Sequence, residues 1–196
     1  MFHLRRRTSR PNPDDVAGLM RALAAGNEDA MTALYDMHGG LVYRFALQMA
    51  RDESVAEEVT QDVFLALFRQ AASFDPTRAR LSTWLCGIAR RQLWKHFNRN
   101  PRFDDFAGAD DLFEPESPAP DPCALLTSRE AVATVQRGID AMPLPLKEVL
   151  VLCELEEMTY EDVAAALGIP VGTVRSRLHR AKQRLAGLLR PAKESF

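Results

Sequence analysis

The residues best suited to specific chemistry lie in a pair of short segments near the C-terminus. The segment from Thr159 to Leu167 has helical spacing, Gly168 suits a left-handed helix end, and residues 169–172 turn into a second helix. The apolar positions of the second helix recur every three or four residues and should share one buried face. They are Val174, Leu178, Ala181, Leu185 and Leu188.

The opposite face of this second helix carries Ser176, His179 and Gln183, bordered by Arg175 and Arg180. A recognition helix enters the DNA major groove with its N-terminal residues, where Arg pairs with guanine and Ser or Gln bonds to base edges. The pattern therefore favours a DNA-binding helix-turn-helix. An amphipathic helix with a solvated basic face is the alternative.

A second basic segment combines cations with aromatic rings. Residues 78–102 contain seven Arg and Lys residues and no acid, and aromatic side chains are interleaved with this block. Rings stack on unpaired bases while cations follow phosphates, so the surface of Arg90, Arg91 and Lys95 is predicted to bind single-stranded or melting DNA. Trp84 also has the spacing of a core residue, which is the alternative for that side chain.

An acidic helix is predicted from Val55 to Gln70, with Glu58, Gln61 and Asp62 on adjoining exposed turns. A protein-docking face and a merely solvated face fit this composition equally well.

Basic and acidic segments alternate along the chain although the formal net charge is only −2, with 25 Lys and Arg against 27 Asp and Glu. This segregation indicates at least two partners.

The elements that must position these side chains are all helical. No apolar–polar alternation persists as a half-buried strand would require. Helix starts are expected near residues 55, 128 and 160, from the N-terminal signals of three residue pairs. These pairs are Ser54 with Glu57, Thr127 with Glu130, and Thr159 with Asp162.

The chain is predicted to form two small helical domains, an N-terminal helix bundle and a C-terminal helix-turn-helix, joined by a flexible linker. Five of the twelve prolines lie between residues 100 and 126 amid Gly, Ser and Asp, which is typical of a linker. The predicted division is an N-terminal extension over residues 1–13, a domain over 14–100, an acidic linker over 101–126 and a domain over 127–190.

Composition excludes several classes of protein. Hydrophobic residues make up 46% of the 196 residues and no apolar run approaches the length of about 20 that a membrane span needs. Arg5 to Arg7 are followed by a Pro- and Asp-containing stretch where a secretory signal would be apolar, so a cytoplasmic location is expected. Cys86, Cys123 and Cys153 are predicted to be free thiols, with a redox or weak metal role as the alternative.

An enzyme is not expected. Phosphate-binding Gly-rich loops, zinc-protease motifs and nucleophile elbows do not occur, and the four histidines have no catalytic partner at recognisable spacing. We therefore predict no catalytic residue, no cofactor and no metal.

Two motifs resemble those of bacterial sigma factors of the sigma-70 family, specifically the short extracytoplasmic-function group. One is AEEVTQDVF at residues 56–64, and the other is GTVRSRLHRA at 172–181, preceded by MTYEDVA at 158–164. The resemblance extends from about Asp14 to Leu189. It implies a non-enzymatic subunit that gives promoter recognition to core RNA polymerase, and it raises an anti-sigma factor as a further partner.

The resemblance also implies residue roles. Glu58, Gln61 and Asp62 would dock on the polymerase clamp helices. The minus-ten element would be captured and melted by the loop and basic helix that follow, through Phe74, Arg78, Arg80, Ser82, Trp84, Arg90, Arg91 and Lys95. The minus-thirty-five element would be contacted by Thr173, Arg175, Ser176, His179, Arg180 and Gln183.

This sequence has Gly87 and Ile88 where long primary factors carry two adjacent aromatics that wedge the melted duplex.

Two other functions remain compatible with the residues alone. One is a stand-alone helix-turn-helix regulator that binds DNA without polymerase, and the other is a helical protein-interaction module whose basic surfaces are incidental.

Overall fold

The computed structural model describes residues 15–99 and 129–189, and these residues form helices, short turns and no strand. The predicted all-helical fold is confirmed. The first group of helices is α1 (Val16–Ala24), α2 (Glu28–Ala50), α3 (Glu53–Gln70) and α4 (Leu81–Arg99). The second is α5 (Arg129–Asp140), α6 (Leu144–Leu150), α7 (Tyr160–Leu167) and α8 (Val171–Leu189).

Short polar side chains begin the N-terminal helices. Asp15 accepts a hydrogen bond from the Gly18 amide at 2.7 Å, and Asn27 starts α2 in the same way. The prediction of a cap at Ser54 was wrong by two residues. The Asp52 carboxylate caps α3 instead, since it accepts from the amides of Ser54 and Val55 at 2.9 and 3.2 Å.

Helices α1 to α4 pack around one apolar core, with α2 against α1, α3 and α4. The largest side chains of this core, among them Phe45, Leu34 and Leu85, are fully buried. The polar face of α3 is left in solvent by this arrangement, because its apolar positions Val59 and Val63 point inward.

Helices α5 to α8 form the second group, in which α8 packs against α5, α6 and α7. Helix α6 continues into a π-helical segment, Val151–Leu155, where the Glu156 amide donates to the Val151 carbonyl at 3.0 Å. Glu157 then has a φ of 52°, and the chain reverses into α7. The side chain of Glu156, directly after this π segment, reaches α2 and accepts from Arg44 Nε at 3.0 Å.

The two helical groups contact each other, mainly through α4 and α7. A Cβ atom on Gly87 would lie 3.3 Å from the Ala166 carbonyl oxygen, so the absence of a side chain at Gly87 permits this close approach. The N-terminal extension, the acidic linker and the Thr127 helix signal lie outside the described residues.

Two of the cysteines are described, and both are free thiols. Burial raises the pKa of Cys86 to about 12, and burial with the nearby Glu154 raises the pKa of Cys153 to about 11. Since the thiolate is the reactive form, neither thiol is activated at neutral pH.

We therefore expect both thiols to react much more slowly with a disulfide reagent in the native chain than in denaturant. The reaction of Cys123→Ser protein would be followed near pH ~8 and again at higher pH, where deprotonation should accelerate it. Equal reaction rates of the thiols in native and denatured protein would contradict this expectation and favour a redox role for Cys86 or Cys153.

Candidate nucleic-acid interface

The helix-turn-helix positions α8 through a cap at each end of α7. Thr159 precedes α7, and its hydroxyl accepts from the Asp162 amide at 3.1 Å while donating to the Asp162 carboxylate at 2.8 Å. Gly168 ends α7 in the left-handed conformation with a φ of 67°. Both local predictions are confirmed, and α8 begins one residue after Pro170.

The buried face of α8 is as expected where it is described. Val174, Leu178 and Ala181 are buried, and Leu185 packs against the core. Burial of these positions holds the opposite face in solvent, where Arg175, Ser176 and His179 are exposed. The other predicted contacts on this helix are half-buried: Thr173, Arg180 and Gln183.

Lys182, further along α8, is held within its own domain. Its ammonium lies 2.9 Å from a Glu154 carboxylate oxygen, and this hydrogen bond raises the pKa of Lys182. Arg184 is exposed two residues later. Arg184 is therefore the more available phosphate contact at this end of the helix.

The loop between α3 and α4 carries the second candidate DNA-binding surface. The Phe74 and Trp84 rings lie 5.4 Å apart, and both are half-buried. Asp75 shapes the loop by accepting from the Thr77 amide and hydroxyl at 2.9 and 2.7 Å, which lowers the pKa of Asp75. A groove of about 380 Å³ runs beside it, with Phe74 and Pro76 facing Met20 of α1.

The predicted cations of α4 and of the loop before it fall into two groups. Arg78, Arg80, Arg91 and Lys95 are exposed, and Ser82 is half-buried. Arg90 is turned toward the second domain, where its Nε donates to Glu148 at 2.8 Å and its side chain is 26% exposed. The predicted surface of Arg90, Arg91 and Lys95 is therefore only partly open.

The predicted acidic surface lies on α3, where Glu58, Gln61 and Asp62 are all exposed. Glu58 and Asp62 line a groove of about 290 Å³ between α3 and α4. Two large apolar side chains, Leu65 and Phe68, are half-exposed on the same helix. Large exposed apolar side chains can contribute to a protein-docking surface when they form a patch with a polar rim.

Sequence reasoning missed the carboxylates that meet the N-terminal domain: Asp140, Glu148 and Glu156. Glu148 had a recognisable signal, because Lys147 and Glu148 interrupt an otherwise apolar run and a buried charge needs a partner.

Within the described ranges, no cluster of three or more His, Cys, Asp or Glu residues could hold a metal ion. None of the described helices combines the length and apolarity needed to span a membrane.

Comparisons with known proteins match both helical groups. Residues 34–103 match the model of sigma-70 region 2, and residues 133–185 match that of sigma-70 region 4. The chain is 30% identical to the ECF RNA polymerase sigma factor SigE of Mycolicibacterium smegmatis, over 90% of this chain and 69% of the relative. It is 33% identical to the RNA polymerase sigma-H factor of Pseudomonas aeruginosa, over 78% of this chain and 80% of the relative.

Solved structures share the fold. CnrH in complex with the cytosolic domain of CnrY is similar with a TM-score of 0.65 and 25% identity, covering 91% of this chain and 97% of CnrH. RpoE from Bartonella quintana, solved with the anti-sigma factor NepR, has a TM-score of 0.61 and 22% identity, covering 83% of this chain and 98% of RpoE.

Proposed function

This chain belongs to the extracytoplasmic-function group of sigma-70 factors, which direct promoter recognition by RNA polymerase, and we propose that it divides the task among three surfaces. Helix α3 docks on core polymerase through Glu58, Gln61 and Asp62. The loop after α3, with α4, binds the melted minus-ten strand. Helix α8 recognises the minus-thirty-five element.

The observation that carries the proposal is the placement of α8. It follows a capped helix and a left-handed glycine, and its exposed N-terminal half carries Arg175, Ser176 and His179. These side chains can donate to or accept from base edges in the major groove. The chain needs no reacting group for this role, in keeping with a non-enzymatic specificity subunit.

The minus-ten assignment is supported by the Phe74–Trp84 pair and the adjoining groove, which offer rings on which an unpaired base can stack. Arg78 is exposed in the same loop, and Arg91 and Lys95 are exposed further along α4; these cations can follow the phosphates. We further propose that the chain acts in the cytoplasm and accepts an anti-sigma factor, as the similar RpoE does in its complex with NepR.

The direct test is promoter-specific transcription from core polymerase with and without the chain. Wild type should produce starts that core alone does not. The double variant Glu58→Lys with Asp62→Lys should lose most of these starts and most of its retention on immobilised core, because it reverses two charges on the docking surface.

A matched control reverses two exposed carboxylates on α2, Asp29→Lys with Asp36→Lys. This control should keep both core binding and transcription, and circular dichroism should report folded protein for all variants. If the α3 variant retained full affinity for core, Glu58 and Asp62 would be solvated residues without a docking role.

A further inference from the structure

Helix α1 carries no residue assigned to the three proposed surfaces, yet it forms one wall of the groove beside the loop between α3 and α4. This groove of about 380 Å³ is lined on one side by α1, through Ala17, Met20, Arg21 and Ala24. On the other side it is lined by the chain that follows α3, through Ala71, Ala72, Phe74 and Pro76. Helix α1 packs against the 3₁₀ turn Ala71–Ser73, and this packing holds the two walls together.

The interior of the groove is apolar and contains one aromatic ring. Met20 is 3% exposed and Phe74 is half-buried, so the groove presents a hydrophobic surface to a ligand that enters it. The methyl side chains of Ala17 and Ala24 on the α1 wall leave space beside the ring. This combination suits a nucleobase, because every base has a flat face that stacks on an aromatic side chain.

Arg21 places a positive charge at this groove. It is the one charged side chain among the described residues that line the groove, and it is exposed. Its Nε donates to the Ala17 carbonyl at 3.3 Å, which holds the guanidinium beside the α1 wall. Within the described residues, its two terminal nitrogens have no hydrogen-bond partner. They are therefore available to a phosphate, which a guanidinium binds through two parallel hydrogen bonds.

The carboxylates that precede and follow the lining residues along the chain are engaged in their own turns. Asp15 accepts from the Gly18 amide at 2.7 Å. Asp75 accepts from the amide and the hydroxyl of Thr77 at 2.9 and 2.7 Å. Neither carboxylate forms an ion pair with Arg21, so the charge of Arg21 stays available to a ligand.

Phe74 connects the groove to the proposed minus-ten site. Its ring lies 5.4 Å from the Trp84 ring, and the same side chain lines the groove. Among the described residues, those that line the groove come from α1 and residues 71–76 and not from α4. A base held at the Phe74–Trp84 pair therefore lies next to the groove, where the neighbouring nucleotide of the same strand can enter.

We propose that the groove between α1 and the loop is a second nucleotide subsite, which takes an unpaired base of the melted strand beside Phe74 while Arg21 binds its phosphate. This inference rests on the proposed function of the loop and α4, and it adds α1 to the elements that hold the strand. A base in the groove is withdrawn from its pairing partner, so its capture favours the melted form of the promoter.

The first test determines whether one base depends on the groove. Holoenzyme reconstituted with the full chain is bound to a fork duplex that is single-stranded over the minus-ten element of a promoter it transcribes. An abasic nucleotide is then placed at each single-stranded position in turn. At the position that enters the groove, loss of the base should weaken binding at least about fivefold, the lower limit for base–aromatic stacking.

Ala24→Phe identifies that position, because the added ring fills the groove. Intact and abasic forks should then bind this variant equally at the one position and differ as in wild type at all others. Ala25→Phe is the matched control, since Ala25 is exposed directly after α1 and does not line the groove. This control should keep the wild-type abasic pattern, and circular dichroism would verify the helical content of both variants.

The second test measures the phosphate contact through the salt dependence of fork binding. Arg21→Ala should reduce the slope of log affinity against log salt concentration by about 0.7, the share of one phosphate on a single strand. Arg21→Lys should keep the wild-type slope because it keeps the charge, a rescue that a purely structural role would not give. Arg137→Ala removes an exposed cation from α5 and should leave the slope unchanged.

An unchanged salt slope in Arg21→Ala, or equal abasic patterns in Ala24→Phe and Ala25→Phe, would overturn the proposal. Weaker retention of Arg21→Ala on immobilised core would also overturn it, because α1 would then contact polymerase rather than the strand. Failure of the proposed function has a different signature, since wild-type holoenzyme would bind the fork no more tightly than core alone. Failure of the α1 subsite by itself leaves that binding intact.

Discussion

Core RNA polymerase is expected to raise the affinity of this chain for promoter DNA by at least about a thousandfold, the lower end of the usual gap between specific and non-specific binding. Each helical domain alone offers a small basic surface. In the free chain, moreover, Arg80 and Arg90 are already paired with carboxylates of the other domain. Polymerase would hold both domains on one duplex and so add their binding energies.

Gel shifts at one fixed salt concentration would measure this effect, using the chain alone, core alone and the two together. A duplex with a scrambled upstream element is the control, because non-specific phosphate binding would survive scrambling. Equally tight and sequence-specific binding by the isolated chain would instead favour a stand-alone helix-turn-helix regulator.

Substitution of Arg175 or His179 by Ala should change which minus-thirty-five sequence is preferred. Both side chains are exposed within the first half of α8, where a recognition helix approaches base edges. A good bidentate contact discriminates between bases by ~1 to 3 kcal/mol, so the preference at one base position should relax by roughly 5- to 150-fold. The measurement is start-site choice on a promoter library randomised only in the upstream element.

Arg184→Ala is the matched control for this experiment. Arg184 is exposed on the same helix but lies further from the N-terminus of α8. At that distance from the base edges, a cation is expected to contact phosphates. Its loss should weaken binding to every library member alike and flatten the salt dependence. A shifted sequence preference for Arg184→Ala, with only reduced yield for Arg175→Ala and His179→Ala, would contradict the assignment.

Local features of the chain could be predicted because their causes are local. The Thr159 cap and the Gly168 turn depend on residues within a few positions of each other. The buried face of α8 follows from helical periodicity, and so does the exposure of Glu58, Gln61 and Asp62 on α3. Motifs at residues 56–64 and 172–181 carried the family, which the comparisons confirmed.

The start of α3 shows where even local prediction failed. Ser54 and Glu57 have the spacing of a capping box, but Asp52 satisfies the first amides of the helix instead. Several polar residues in succession can each supply an oxygen to the same amides. Arg51 ends α2 in the left-handed conformation with a φ of 57°. Only Arg51 and Asp52 therefore separate α2 from α3, and Asp52 is the residue directly before the first turn of α3.

By itself, the sequence determined the helices, their polar faces and the recognition helix, since these depend on neighbours three or four residues away. Only the tertiary structure decided which cations are available for DNA. Arg90 and Arg91 are adjacent in a basic segment, yet Arg90 is held by Glu148, 58 residues later, while Arg91 is exposed. The burial of Glu148 depends on two domains meeting, and helical periodicity carries no information about contacts at that separation.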